Sequence, residues 1–227
     1  MEQTNKINIF SRIVTIEANI GAGKTTLLRE LKKKYKNNAN FIFLEEPVEM
    51  WESFTDENGK TMIELFYSDQ KEYSFPFQMM AFISRYAMLK EATEKNPNAT
   101  IITERSLYTD RMVFAKMLFD SGFIKHINYK IYLKWFDTFA SQLPISKVVY
   151  INSNPEICHA RIMKRSRNGE SVIPLSYLDS CNEYHTKMME SFNDEKIDKL
   201  IIDGNIDIYT NTEIVNDWID SIDEFIK

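Results

Sequence analysis

Apolar residues in this chain gather into short, nearly continuous runs, separated by longer stretches where they recur with helical spacing. Five runs stand out: Arg12–Glu17, Asn40–Leu44, Thr100–Thr103, Lys147–Ile151 and Lys199–Ile202. Near-continuous apolarity over so short a length predicts strands covered on both faces, as in a parallel sheet. Parallel strands need crossover connections of a dozen or more residues, and the intervening stretches are long enough to supply them as helices. Lys24–Tyr35 follows the first strand, and Phe77–Glu94 precedes the third. Leu178, Cys181, His185, Met188 and Phe192 mark the buried stripe of another helix, which makes His185 a packing residue. The pattern predicts an α/β fold, a doubly wound five-stranded parallel sheet flanked by helices, in a single domain over 1–227. Ligands of such sheets bind at the carboxyl edges of the strands.

Punctuation refines this frame. Thr55–Lys60 is a turn cluster, and Asn96, Pro97 and Asn98 end a helix before the third strand. Residues 164–171 are polar, arginine-rich and interrupted by Gly169; followed by Ile173 and Pro174, they predict a mobile loop between helices.

With 227 residues, 44% of them hydrophobic, the chain can bury a full core, and 27% charged residues argue against low complexity. A net charge of −5 without a basic stripe argues against nucleic acid as a partner. Cys158 and Cys181 lack metal-ligand spacing and fit a reducing compartment. No apolar run approaches membrane-spanning length, and residues 1–11 are too short and mixed for a secretory signal. A soluble, cytoplasmic protein is expected, without membrane partners.

Chemistry enters between the first strand and the helix after it. There Ala18, Asn19, Ile20, Gly21, Ala22, Gly23, Lys24, Thr25 and Thr26 form a phosphate-binding loop ending in Gly-Lys-Thr. Small residues let backbone N–H groups curl around phosphate oxygens, and the helix N-terminus adds its positive dipole end. Lys24 would reach the β/γ-phosphates and the Thr25 hydroxyl would sit on Mg²⁺, so ATP or another nucleoside triphosphate is the expected cofactor. Ala18 stands where the first glycine of this loop pattern belongs; if the position requires positive φ, an alanine there is strained.

Two acidic groups lie at the predicted carboxyl edge. Glu45, Glu46, Pro47, Val48, Glu49, Met50 and Trp51 follow the second strand, and Glu104, Arg105 and Ser106 follow the third. Phosphorylating an alcohol needs a carboxylate to take the hydroxyl proton and cations to hold the charge on the transferred group. Glu46 suits the first task, and a carboxylate beside an arginine at 104–105 can place Mg²⁺ and a substrate oxygen together.

These motifs, in order, resemble the deoxynucleoside kinase family of the deoxycytidine, deoxyguanosine and deoxyadenosine kinase type over nearly the whole chain. The resemblance runs through Gly23, Lys24 and Thr25; Glu46, Pro47, Val48 and Trp51; and Phe77 and Gln78. It continues through Glu104, Arg105 and Ser106; Asp110 and Arg111; the arginines from Arg161 to Arg167; and Ile173, Pro174, Leu175 and Tyr177. It implies phosphoryl transfer from a nucleoside triphosphate to the 5′-hydroxyl of a deoxynucleoside, in nucleotide salvage. By the same resemblance Glu46 is the general base, Arg105 orients the hydroxyl, and Glu104 with Thr25 holds Mg²⁺. Arg161, Arg165 and Arg167 are lid arginines closing over the phosphates, and Tyr67 and Glu170 hold the sugar 3′-hydroxyl. It also implies a homodimer through paired helices, with 106–118 and 128–139 as candidate segments.

The base pocket follows from spacing. Gln78, Ala81 and Arg85 share one face of their helix. A buried arginine needs a partner, and Asp110 is the natural one. Asp110 can accept from an exocyclic amino group, Gln78 adds a donor and an acceptor, and Arg85 could donate to a carbonyl such as guanine O6. Thymine offers no amino group, so deoxyadenosine, deoxycytidine or deoxyguanosine is expected over thymidine. Phe77, Phe114 and Trp51 would wall the base. A nucleoside monophosphate kinase and a non-catalytic nucleotide-binding subunit share the loop; Glu46, Gln78 and Asp110 favour the nucleoside kinase.

Overall fold

The computed structural model describes residues 12–165, 173–206, 208, 211 and 213–227. The five apolar runs form five strands: β1 Arg12–Ala18, β2 Phe41–Leu44, β3 Thr100–Glu104, β4 Lys147–Asn152 and β5 Asp198–Asp203. They pair as one all-parallel sheet in the order β2-β3-β1-β4-β5. β1 is central, with Val14 opposite Ile102 of β3 and Lys147 of β4. Each strand starts and ends within a residue of its apolar run. The one-residue extension of β3 matters most, because it places Glu104 at the sheet's carboxyl edge.

Alternate residues of β1 serve two cores, as a strand covered on both faces requires. Val14 and Ile16 join Leu27, Leu28 and Leu31 of α1 (Lys24–Lys34), with Cys158 and Ile162 of α8 (Pro155–Arg165) and Ile222 of α10 (Glu213–Ile226). Ile13 joins Phe82 and Leu89 of α4 (Gln70–Lys95) and Tyr132 and Phe136 of α7 (His126–Phe139) on the other side. The sheet is therefore doubly wound.

Two helix starts set the geometry of the cleft. Thr61 begins α3 (Met62–Ser68) with a reciprocal capping box to Glu64, and the Asp69 side chain accepts from Lys71 N and Glu72 N at the start of α4. The sequence pattern predicts this second helix from Phe77. It begins seven residues earlier, and Pro76 lies inside it, where the ring forfeits one helical N–H donor. After β3 the chain runs through α5 (Leu107–Thr109), a π-helical turn at Asp110–Ala115 and α6 (Lys116–Asp120).

The strain anticipated at Ala18 does not arise. Ala18 is the last residue of β1, with its methyl group buried in the core, and it is absent from the left-handed positions. Gly21 (φ 80°) and Gly23 (φ 99°) take the left-handed turns of the loop instead. At Gly21 a Cβ would come within 2.5 Å of the Cys158 carbonyl oxygen and 2.8 Å of Ile162 Cγ1. Gly21→Ala is therefore expected to cost about 1–3 kcal/mol of stability, read by denaturant unfolding; an unchanged midpoint would refute the clash.

His185 packs as predicted. On α9 (Leu175–Asp194) it is fully buried, its Nδ1 lies 2.7 Å from the Cys181 carbonyl, and burial lowers its pKa to about 3.

Candidate active site

The loop between β1 and α1 delivers Lys24 and Thr25 to the sheet edge. Gly23 caps α1, so the first turn of the helix faces the cleft. Lys24 is buried, and its ammonium donates to the carbonyls of Asn19 (2.9 Å) and Ala18 (3.3 Å). Burial, assisted by the Arg105 charge, lowers its pKa to about 8 against the opposing pull of Glu104 and Glu46. The ammonium is the form that attracts phosphate, so raising pH through about 8 discharges the free protein's lysine. The KM for the triphosphate donor is expected to rise toward about tenfold per pH unit beyond that point. A KM that stays flat through that range would exclude Lys24 as the titrating group. Beside it, Thr25 Oγ1 donates to Glu104 Oε1 (2.8 Å) and lies 3.0 Å from Oε2, which gathers hard oxygen donors at one point.

Glu46 sits just past β2, where Pro47 turns the chain into α2 (Val48–Ser53). Its Oε1 accepts from Arg105 Nη1 at 2.5 Å and from Arg85 Nη2 at 3.0 Å. Burial pushes its pKa up, but Arg105, Arg85 and Lys24 outweigh this and lower it to about 2. No described residue donates to Oε2, so one carboxylate oxygen is gripped and the other is open to the cleft. Arg105 itself has φ 61°, a left-handed conformation rare outside glycine, at the end of β3. Its N–H donates to the Ile16 carbonyl (3.0 Å), and its guanidinium lies 5.2 Å from the Phe114 ring centroid. The guanidinium Nε is buried and has no hydrogen-bond partner among the described residues.

The predicted Arg85–Asp110 pair forms. Arg85 Nε donates to Asp110 Oδ2 (2.9 Å), Nη1 to the Glu104 carbonyl (2.7 Å) and Nη2 to Glu46. Burial raises the Asp110 pKa to about 6, against the Arg85 charge. No described residue donates to Asp110 Oδ1, and the buried Gln78 Oε1 also lacks a partner. Trp51 is fixed by a bond from Nε1 to Ser84 Oγ (2.8 Å) and meets Phe77 edge-on at 6.0 Å. Ala81 and Phe114 complete the wall predicted from sequence, and the π-helical turn brings Asp110 and Phe114 to the same cleft. Ile20, Gly21, Gly23, Lys24, Thr25, Thr26, Glu104 and Tyr67 also line it.

Sequence reasoning missed Ile63 and Phe66 as site residues. Phe66 stacks on Phe77 (4.7 Å, 21°) and forms part of the wall. The Thr61–Glu64 capping box was the available signal: it fixes the start of α3 and puts Ile63, Phe66 and Tyr67 on one stripe. Tyr177, present in the motif set but given no role, meets Tyr67 edge-on at 6.3 Å and lines the cleft.

Other expected ligand residues lie apart. Arg161 donates to the carbonyls of Gly204 (2.8 Å) and Ile206 (3.0 Å), and lines a second groove behind the loop with Ala22, Gly23 and Trp218. The Asn19 side chain is buried and bonded within the protein. The Arg165 side chain, Arg167 and Glu170, with most of the expected lid, lie outside the described residues.

A parallel sheet carrying a phosphate loop, with a gripped carboxylate across the cleft, defines a P-loop phosphotransferase. Residues 14–227 match the deoxynucleoside kinase family, and the chain belongs to it. It is 30% identical to deoxycytidine kinase 2 of Gallus gallus, over 95% of this chain and 90% of that protein. Deoxycytidine kinase of Homo sapiens is 33% identical over 76% of this chain and 73% of its own. Mitochondrial thymidine kinase 2 of Homo sapiens is 30% identical over 78% and 64%. Relatives named for different bases fall in the same range, so base choice has to be read from the pocket.

Proposed function

We propose that this deoxynucleoside kinase transfers the γ-phosphate of ATP, or of another nucleoside triphosphate, to the 5′-hydroxyl of deoxynucleosides whose base bears an exocyclic amino group. The observation that carries the base choice is a pair of acceptors, Gln78 Oε1 and Asp110 Oδ1, on two residues that line one aromatic-walled cleft, neither of them given a donor by the described residues. A buried acceptor left unpaired is costly, and an amino group relieves it. Each of the three nitrogens of Arg85 already donates within the protein, to Asp110, Glu104 and Glu46, which disfavours guanine O6 as its partner. Deoxyadenosine and deoxycytidine are therefore the best acceptors, and thymidine is poor.

Glu46 Oε2 takes the proton of the 5′-hydroxyl while Arg105 and Arg85 hold Oε1 still. Arg105 Nε, buried and without a partner among the described residues, is a donor for the oxygen at which negative charge grows. Lys24 and the amides of the loop hold the β- and γ-phosphates. Thr25 and Glu104 fit Mg²⁺, a hard cation that takes one or two carboxylates plus phosphate oxygens. When bound, it neutralises phosphate charge. The family resemblance assigns the 3′-hydroxyl to Tyr67 and Glu170, and the phosphates to Arg165 and Arg167; of these, Tyr67 lines the cleft. The apolar groove at Arg161 and Trp218 suits the donor's base.

A homodimer is supported by Ile127, Ile131 and Trp135, spaced by four on α7 and all exposed. Among the described residues no helix is long and apolar enough to cross a membrane; a cytoplasmic location fits the paired absence of disulfides, Cys158 and Cys181 both being free.

The test is an ATP-to-ADP assay with deoxyadenosine, deoxycytidine, deoxyguanosine, thymidine and their monophosphates as separate acceptors. Turnover with amino-bearing deoxynucleosides supports the reading. Thymidine as the best acceptor would overturn the pocket assignment, and turnover with monophosphates alone would overturn the acceptor class.

A further inference from the structure

Asn19 occupies a position in the phosphate loop at which its side chain is bonded within the protein. Only 1% of it is exposed. Its Nδ2 donates to the Leu178 carbonyl at 2.9 Å, and its Oδ1 accepts from Ile20 N at 2.8 Å. Its backbone carbonyl accepts from Lys24 Nζ at 2.9 Å and from Ala22 N at 3.3 Å. One residue thus lies under the phosphate-binding lysine and also ties the loop to the first turn of α9. The residue before Leu178 is Tyr177, which lines the nucleoside cleft against Tyr67.

These contacts are shared by two ligands. Two of the three N–H donors of Lys24 go to the carbonyls of Asn19 and Ala18, so contact with both the β- and the γ-phosphate draws at least one of them away. Loading the donor therefore relaxes the lysine's pull on the loop, and Asn19 transmits any shift of the loop to Leu178. A shift of α9's first turn moves Tyr177, and with it the wall of the acceptor site. The reverse path follows from linkage: an acceptor that fixes Tyr177 fixes Leu178, Asn19 and the loop. The bonds from Lys24 to the Asn19 carbonyl and from Asn19 Nδ2 to Leu178 are buried, where a lost partner leaves an unsatisfied polar group.

We infer that Asn19 is a positioning residue that couples donor binding at the phosphate loop to acceptor binding at the nucleoside cleft, through its bond to Leu178. This rests on the kinase reading above and goes beyond it, because either substrate could bind a loop and a cleft that did not communicate. Spatial continuity alone does not establish coupling; a measured interaction between the two ligands does.

The experiment is calorimetric titration of the full chain with deoxycytidine and with deoxyadenosine, with and without the non-hydrolysable donor adenylyl imidodiphosphate and Mg²⁺. It is run on the wild type, Asn19→Ala and Asn19→Ser. Serine retains an acceptor for Ile20 N but is too short to reach Leu178; alanine loses both bonds. In the wild type the donor analogue is expected to tighten acceptor binding by about tenfold. In both variants the factor is expected to fall below about twofold, with kcat down by about tenfold or more. Coupling that survives in Asn19→Ala overturns the inference, as does restoration by serine, which would mean that Asn19 only shapes its own loop. Absence of coupling in the wild type overturns it too.

Should the variants fail to fold, amide exchange in the wild type decides. Protection of residues 175–182 is expected to rise on adding the donor analogue alone, and an unchanged exchange rate there overturns the inference. A wild type that neither binds nor phosphorylates any deoxynucleoside overturns the kinase reading itself. A wild type that turns them over while the variants keep full coupling overturns this inference alone.

Discussion

Replacing Glu46 with glutamine is expected to lower kcat by about 10²–10⁴-fold while leaving acceptor KM within a few-fold. The amide keeps the shape of the side chain and one oxygen for Arg105 and Arg85, so the fold and the cleft persist. It cannot take a proton, and the 5′-hydroxyl stays a poor nucleophile. In the wild type the low pKa of Glu46, about 2, keeps it ionised across the neutral range, so it contributes no acid limb to the rate near pH 6. A low pKa also makes a weak base, and the structure offsets this by position: the open oxygen is held in place by two arginines on the other. Steady-state kinetics on both proteins decide the matter. A Glu46→Gln enzyme within tenfold of wild type would remove Glu46 from the chemistry.

The second large effect concerns Asp110. Asp110→Ala is expected to cut kcat/KM for deoxycytidine and deoxyadenosine by about 10²–10⁴-fold, because a site built to hydrogen-bond a group discriminates steeply. Thymidine should gain relative to them. Removing one partner of a buried ion pair costs about 3–5 kcal/mol, and Arg85 keeps only Glu46 as a carboxylate partner, so the melting temperature should fall as well. The double variant Arg85→Met with Asp110→Ala avoids a buried unpaired charge and separates lost stability from lost recognition. Acceptor profiles that do not change in either variant would dismiss the pair as a specificity element.

The same carboxyl sets a pH dependence. Its folded pKa is raised by burial to about 6 from 3.8, so the folded protein holds this proton more tightly than the unfolded chain does. This one group therefore adds stability as pH falls through 6 toward 3.8, and withholds it above 6. Base recognition runs the other way, since only the ionised carboxylate accepts freely from an amino group. Acceptor kcat/KM should decline below about pH 6 and lose that limb in Asp110→Asn. A flat profile would place the ionisation elsewhere.

Much of this was legible in one chain. The inner strands β1, β3 and β4 could be read to within a residue because a strand covered on both faces has no polar alternation to blur it, whereas the edge strand β5 is apolar in sequence yet leaves Ile201 exposed. The Gln78, Ala81 and Arg85 stripe could be read because helical spacing fixes which residues share a face. Arg105 could be named from its neighbours, but its left-handed backbone could not, since nothing in a side chain other than glycine announces a positive φ. The π-helical turn escaped for a related reason: an extra residue per turn leaves no compositional mark. The first seven residues of α4 were not legible, because a proline such as Pro76 looks the same in sequence whether a long helix tolerates it or begins after it. Phe66 went unnamed because an aromatic stripe reads alike whether it faces protein or ligand.

The charged residues lining the cleft are Lys24, Arg85 and Arg105 on one side of the ledger and Glu46, Glu104 and Asp110 on the other. With all six ionised, the inner wall is electrically neutral while being densely polar. An uncharged sugar and base can slide into such a wall without displacing any ion from its partner. A ligand that already carried a phosphate would set a further negative charge beside Glu46 and Asp110, whose arginines are already engaged with them. The acceptor side thus screens its ligands by charge before any base is read, and a product that has just become an anion is no longer at home there.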